Sequence, residues 1–252
     1  MAAVIRTENL AVSFDGHTPV FEGLGLAVEE GEFVTVVGVS GAGKSTLLRV
    51  IADLIPAFRG SVRVESSRRD PTRRQIAMVF QEANLMPWRR VKDNIKLGLE
   101  GINASDEVKH ERVEWTLRLV DLQGYENRWP YQLSGGQRQR IGIARALAVD
   151  PAILLMDEPF GAVDAITRTA LQGELLRIWQ KTGKSILFVT HDIEEAAYLG
   201  DRVLLLGDKP ARIVNEYPIA IDRTVRRGSE EFLNKVEEVR VGLQTAIEAA
   251  KS

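Results

Sequence analysis

The chain contains no cysteine. That removes disulfides, thiolate metal sites and thiol redox chemistry together, and it makes a reducing cytosol the expected compartment. An excess of either charge is also lacking: 33 basic side chains stand against 35 acidic ones, for a formal charge of -2. Without a net field, neither nucleic acid nor an anionic membrane surface is a default partner, and any such contact would need a local patch. No apolar run approaches the roughly 18 residues that cross a bilayer. Even Pro151 to Met156 is cut off by Asp157 and Glu158. The first residues reach Arg6 and Glu8 before a signal-length apolar stretch can build, so the chain is expected not to be exported. Contact with a membrane is then expected only through a partner. Internal repeats and low-complexity tracts are absent as well.

What is present matches an ordinary globular protein: 44% hydrophobic and 27% charged residues, with 21 glycines and 9 prolines, which excludes collagen-like, coiled-coil and disordered classes. At 252 residues the chain is long enough for one large domain carrying an inserted lobe. Leu10 to Phe14 and Leu24 to Val28, separated by Asp15-Gly16, predict a small antiparallel sheet. Phe33 to Val37 predicts a strand, and Lys44 to Leu54 a helix that runs on until Pro56. Ile76 to Phe80, Ile153 to Met156 and Ile186 to Val189 predict strands buried on both faces of a parallel sheet. Between Val91 and Val149 the spacing turns helical, with a second long helix opening after Ser134. From Pro218 an extended basic segment leads to Phe232, Val236, Val239, Leu243 and Ile247 on one helix face behind a Ser229 cap.

Three motifs carry chemistry. Gly38-Val39-Ser40-Gly41-Ala42-Gly43-Lys44-Ser45, followed by Thr46, fits G-x-x-x-x-G-K-[ST] between a predicted strand and a predicted helix. Its glycines let the backbone wrap an anion, Lys44 can neutralise β- and γ-phosphates, and the Ser45 hydroxyl can sit on Mg²⁺. Asp157 and Glu158 end an apolar strand, the position where open α/β sheets bind ligands. One carboxylate there can hold Mg²⁺ while the next orients or deprotonates an attacking water. Leu133-Ser134-Gly135-Gly136-Gln137 opens a second helix with a second cluster of Ser/Gly amides. Such a string arises by chance on the order of once in several thousand chains of this length, so it is read as a second phosphate site rather than a simple cap. Two phosphate-binding helix starts in one domain suggest a nucleotide shared between two copies.

In order along the chain, the phosphate loop, Gln81, Leu133 to Gln137, Asp157-Glu158, Gly161 to Asp164 and His191 resemble the ATPase domains of ABC transporters, over nearly the whole sequence. The resemblance implies an α/β fold: a P-loop NTPase core with a mainly parallel sheet (1-85 and 150-217), an N-terminal antiparallel β part, a helical lobe at 86-149, and an extended segment with a helix at 218-252. It implies ATP and Mg²⁺ as cofactors, with Ser45, Gln81 and Asp157 on the metal. Glu158, Gln81 and His191 would be catalytic, Asp164 would belong to a loop crossing the dimer interface, and Phe14 would stack on adenine. The implied partners are a second copy, a membrane permease and, through it, a substrate-binding protein, on the cytoplasmic face of the inner membrane. Met156 to Arg168, Leu85 to Arg89 and Thr190 to Ala196 further resemble the nitrate, sulfonate and taurine importers. ATPases of lipid-transport or division-linked complexes are the alternative within the same superfamily.

Arg68, Arg69, Arg73 and Arg74 lack an aromatic stacking platform and are read as a solvated loop, not a nucleic-acid site. Trp115, Trp129 and Trp179 are read as packing residues. Trp88 is set apart because it follows Gln81 in the segment that faces the membrane subunit in the resembled family.

Overall fold

The computed structural model describes residues 3-65, 70 and 72-249. Nine strands and seven helices follow one another among them: β1 (Ala3–Ser13), β2 (Pro19–Glu29), β3 (Phe33–Gly38), α1 (Lys44–Ile51), β4 (Arg59–Val64), β5 (Ile76–Val79), α2 (Val91–Gly98), α3 (Asp106–Leu119), α4 (Gly135–Ala148), β6 (Ile153–Asp157), α5 (Ala165–Thr182), β7 (Ser185–Val189), α6 (Ile193–Leu199), β8 (Arg202–Gly207), β9 (Arg212–Pro218) and α7 (Glu230–Ala249). They fall into two compact units, Met1–Glu65 with Ser185–Ser252, and Ser66–Lys184. No helix among the described residues is long and apolar enough to cross a membrane.

In the first unit β1 pairs antiparallel with β2 and β4, as the alternating N-terminal pattern predicts for the first two. β3 lies parallel to β7 and to β8, with β9 antiparallel on β8. Every residue of β3 and β7 is buried, which suits β-branched runs covered on both faces. Because the three parallel strands share a direction, Gly38 and Thr190 emerge at one edge, and the Thr190 N–H donates to the Val36 carbonyl at 3.1 Å. Helix α1 is shorter than its sequence pattern. It stops at Ile51, the Asp53 N–H donates back three residues to Val50, Asp53 takes φ 58°, and Leu54 is left exposed.

The tail forms α7 as expected, and the Ser229 Oγ accepts from the Phe232 N–H at 3.2 Å. Phe232, Val236 and Val239 pack with Val203, Leu205 and Ala196. The basic segment before α7 hides one cation. Arg226 is 2% exposed and donates to the carbonyls of Ala197, Tyr198, Gly200, Ile219 and Ile221 at 2.7 to 3.2 Å. Burial pushes its pKa down to about 10, which leaves it charged at neutral pH. Arg226→Met should strip these carbonyls of their donor and lower the unfolding free energy by about 3 kcal/mol or more. Urea unfolding at pH 7 measures this, and a loss within 0.5 kcal/mol of zero would show that water replaces the guanidinium.

In the second unit β5 and β6 pair parallel from Ile76↔Ile153 to Val79↔Met156. β6 is fully buried, but β5 is half-buried for its first three residues, so the expected two-sided burial holds for β6, as for β7, and fails for β5. Ser105 caps α3, and α2 meets α4 backbone to backbone: a Cβ on Gly98 would lie 2.6 Å from the Arg145 carbonyl oxygen. Arg73 is not simply solvated, because it pairs with Asp150 at 2.8 Å and with Asp70 at 3.3 Å. Arg74 donates to the Glu100 carbonyl, and Arg68 and Arg69 lie outside the described residues. Trp115, Trp129 and Trp179 are half-buried rather than core, Trp129 lying under the Arg90 guanidinium at 5.1 Å.

Candidate functional site

The candidate residues divide between the two units. In the first, β3 runs into a loop whose Gly41 and Gly43 take φ 81° and 83°, the left-handed region that favours glycine. A Cβ on Gly43 would in addition come 2.6 Å from Val20 Cγ1. Gly43 is the N-cap of α1, whose first turn carries no acidic residue, so the helix end keeps its attraction for an anion. Lys44 is buried, and its Nζ donates to the carbonyls of Gly38 and Val39 at 2.9 and 3.0 Å, which holds the ammonium along the loop. Ser45 and Thr46, half-buried, complete the first turn.

Phe14 follows β1 and is 68% exposed, so it is not a core residue. Asp15 fixes the turn after it, accepting from the His17 and Thr18 N–H groups and from Ser13 Oγ. Those bonds, led by the Thr18 and His17 backbone amides, hold the Asp15 carboxyl well below the usual carboxylate range. His191 is exposed just beyond β7. Around it Thr190 Oγ1 donates to Glu195 at 2.5 Å and accepts from the Asp192 N–H at 3.0 Å, while Asp192 caps α6.

In the second unit, parallel pairing brings Gln81 and Asp157-Glu158 to neighbouring strand ends. Asp157 is buried and Glu158 half-buried. Glu158 has φ 45°, a strained left-handed conformation for a residue with a Cβ that sequence reasoning had no means to find. Gln81 lies against the loop that follows: its Nε2 is 3.2 Å from where a Cβ on Gly161 would be.

Ser134 caps α4, its Oγ accepting from the Gln137 N–H at 3.2 Å while Gln137 Oε1 accepts from the Ser134 N–H at 3.0 Å. Leu133 is buried, and Ser134 and Gly135 are exposed. Gly136 lets α4 start against α5, since its Cβ would lie 2.5 Å from Thr167 Cγ2. Asp164 is exposed and caps α5 through the Thr167 N–H at 3.0 Å, which pulls its carboxyl below the usual range.

Three supporting residues escaped sequence analysis. Gln139 donates to the Phe80 carbonyl at 3.1 Å, and Arg145 to those of Ala83 and Asn84 at 2.6 and 3.0 Å, so α4 grips both sides of Gln81. Asn94, fully buried, accepts from the Met86 N–H at 2.7 Å and donates to the Arg89 carbonyl at 2.9 Å. Their only sequence signal is a polar residue at a buried or half-buried helical position, which a pattern cannot separate from a surface one.

A family model described as ABC transporter matches residues 21-161. The chain belongs to the ABC transporter family. Within it the taurine import ATP-binding protein TauB of Escherichia coli O157:H7 is 45% identical over 208 residues, 82% of each chain. An uncharacterized ABC transporter ATP-binding protein of Methanocaldococcus jannaschii is 45% identical over 239 residues, covering 92% of this chain and 88% of that one. Among solved structures, the ATP-binding cassette MJ0796 in a dimeric post-hydrolysis state with ADP and Pi matches with a TM-score of 0.72 at 31% identity, covering 86% of this chain and 99% of that one. The chain is thus an ATP-binding subunit resembling the taurine/sulfonate importer subgroup, with the α/β fold of P-loop NTPases, nucleotide binding and ATPase activity of the ABC type.

Proposed function

We propose that this ABC ATPase drives a membrane importer for a small anion of the nitrate, sulfonate or taurine type, acting as a pair of copies docked on a separate permease. The observation that carries the reading is the 45% identity to a taurine import ATP-binding protein across 82% of both chains. The chain would sit peripherally on the cytoplasmic face of the inner membrane, with a substrate-binding protein engaged through the permease.

In this reading the amides of residues 38-46, with Lys44, bind the ATP phosphates, and Phe14 offers an exposed aromatic face to adenine. Ser45, Gln81 and Asp157 supply hydroxyl, amide and carboxylate oxygens, a hard donor set that fits Mg²⁺. When bound, Mg²⁺ neutralises charge on the phosphates. Glu158 orients the attacking water and accepts its proton, while His191 reaches the γ-phosphate. Ser134, Gly135 and Gly136 serve the nucleotide of the second copy, beside Asp164. ATP closes the pair and hydrolysis reopens it, with the helical lobe at 86-149 passing the change to the permease.

The proposed permease contact centres on Trp88. It is 70% exposed beside a groove of about 380 Å³ lined by Arg90, Asp93, Lys96, Leu99 and Trp129. Asn94 ties down the loop that carries it, so the indole is presented by a braced segment. Reconstituted with its permease and binding protein, the complex should hydrolyse ATP faster when taurine or an alkylsulfonate is added. Trp88→Ala should keep basal hydrolysis and lose most of that stimulation. Equal loss of both activities would return Trp88 to a packing role, and no response to any small anion would count against the importer reading.

A further inference from the structure

Apart from the groups assigned to nucleotide, the signature helix α4 and the Asp164 helix α5 are joined by an ion pair. Arg140 on α4 places Nη2 2.9 Å from Glu174 Oε2 on α5. Arg140 Nη1 also donates to the Val120 carbonyl at 3.3 Å, where α3 ends. One turn beyond Glu174, Arg177 donates to the Leu119 carbonyl at 3.0 Å and to the Asp121 carboxylate at 2.9 Å. Guanidinium groups from two helices therefore converge on the last carbonyls of α3, where a helix concentrates partial negative charge.

The α4–α5 contact is then set at two places. Near the helix starts Gly136 meets Thr167 without room for a Cβ, and further along Arg140 meets Glu174. The first is a close steric approach that only resists compression. The second is electrostatic, and it is the one a proton can break.

Glu174 is poised for that. Its side chain is 8% exposed, and neither oxygen accepts an aligned hydrogen bond among the described residues. Desolvation is the largest influence on its carboxyl and outweighs the attraction of Arg140; Asp121 adds repulsion and Arg177 a weaker attraction, so the pKa is pushed up to about 7. These groups, from α4, the end of α3 and α5 itself, are the charges that face it. A carboxylate held above its unfolded value binds its proton more tightly in the folded chain. Folding stability from this group is therefore greatest below pH 4.5 and declines as pH rises towards 7, so neutral pH holds the ion pair against a bias towards the protonated form.

We infer that Glu174 is a positioning residue for ATP turnover: ionised, it holds Arg140 and so keeps the Ser134–Gly136 start of α4 in register with Asp164 at the start of α5, and protonated in mildly acidic medium it lets that register slip. The inference rests on the shared-nucleotide reading above. It makes the pairing of two copies sensitive to proton concentration through a residue outside the set assigned to ATP.

Steady-state hydrolysis from pH 5.5 to 8.5 tests it on the full chain. The wild type should lose kcat several-fold as pH falls through about 7, with KM for MgATP nearly unchanged. Glu174→Gln, which cannot ionise, should give a low kcat without that step. Should this variant fold poorly, the carboxyl ¹³C shift of Glu174 in the wild-type chain gives a direct reading, with a midpoint expected near 7 that Arg140→Met raises. The same pH step in Glu174→Gln as in the wild type, a midpoint near the ordinary 4.3, or a midpoint unmoved by Arg140→Met would each overturn the inference. Failure of the shared-nucleotide reading shows elsewhere, as normal turnover by a chain whose Ser134 surface is blocked.

Discussion

Replacing Glu158 with glutamine should lower ATP turnover by about 10² to 10⁴-fold, the usual contribution of a positioned base, while MgATP still binds. Glutamine keeps the length and the hydrogen-bonding oxygen of glutamate but cannot accept the proton. The residue stands next to buried Asp157 at the end of β6, half-buried, with a backbone turned to φ 45°. A left-handed backbone at a residue with a Cβ is strained, and such strain persists only where the surrounding structure holds the residue in place. Pairs of copies should then accumulate on a sizing column run with ATP, because closure is intact and reopening is not. Asp157→Asn should instead weaken nucleotide binding in the presence of Mg²⁺ and change it little without. A Glu158→Gln chain that turns over at near the wild-type rate would overturn the assignment of the base, and one that no longer binds MgATP would make Glu158 a metal ligand.

Blocking the signature surface should have an effect of similar size by another route. Ser134 and Gly135 are exposed at the start of α4, and a Cβ on Gly135 would meet nothing within 4 Å in its own chain. Packing within the chain therefore does not require glycine there, which suits a surface that another molecule approaches closely. Ser134→Arg places a long side chain on that approach and removes the Oγ that caps the helix. The lost cap costs about 1 kcal/mol of stability, too little to unfold a domain with cores of this extent. ATP binding around Lys44 should persist while turnover falls below detection, and the ATP-dependent shift to a dimer should vanish with it. Normal hydrolysis by a monomeric Ser134→Arg chain would refute the shared site. Loss of ATP binding as well would place Ser134 in its own copy's nucleotide pocket.

Much of this molecule could be read from its residues because the informative signals are local. A Gly-x-Gly-Lys-Ser run between a β-branched strand and an amphipathic stretch specifies a phosphate loop by backbone sterics and helix polarity alone. The Ser229 cap was legible for the same reason, since a capping oxygen serves an N–H only three residues away. Elements failed to be read where the outcome depended on distant neighbours. Ile76 to Val79 has the composition of a buried strand yet is only half-covered, and Arg226, within a stretch that reads only as extended and basic, is among the most deeply buried side chains.

What the sequence by itself determined, then, is the set of reactive groups and the short-range geometry around each: the left-handed glycines of the phosphate loop, the adjacent carboxylates at a strand end, the capped signature helix. Only the tertiary structure decided which of them share a strand edge, that α4 grips the Gln81 segment through Gln139 and Arg145, and that Glu174 faces Arg140 across two helices. The reason is physical. Backbone propensity and capping act over three or four residues, whereas burial, desolvation and ion pairing depend on groups brought together from far along the chain, and no periodicity records which partner a polar side chain will meet.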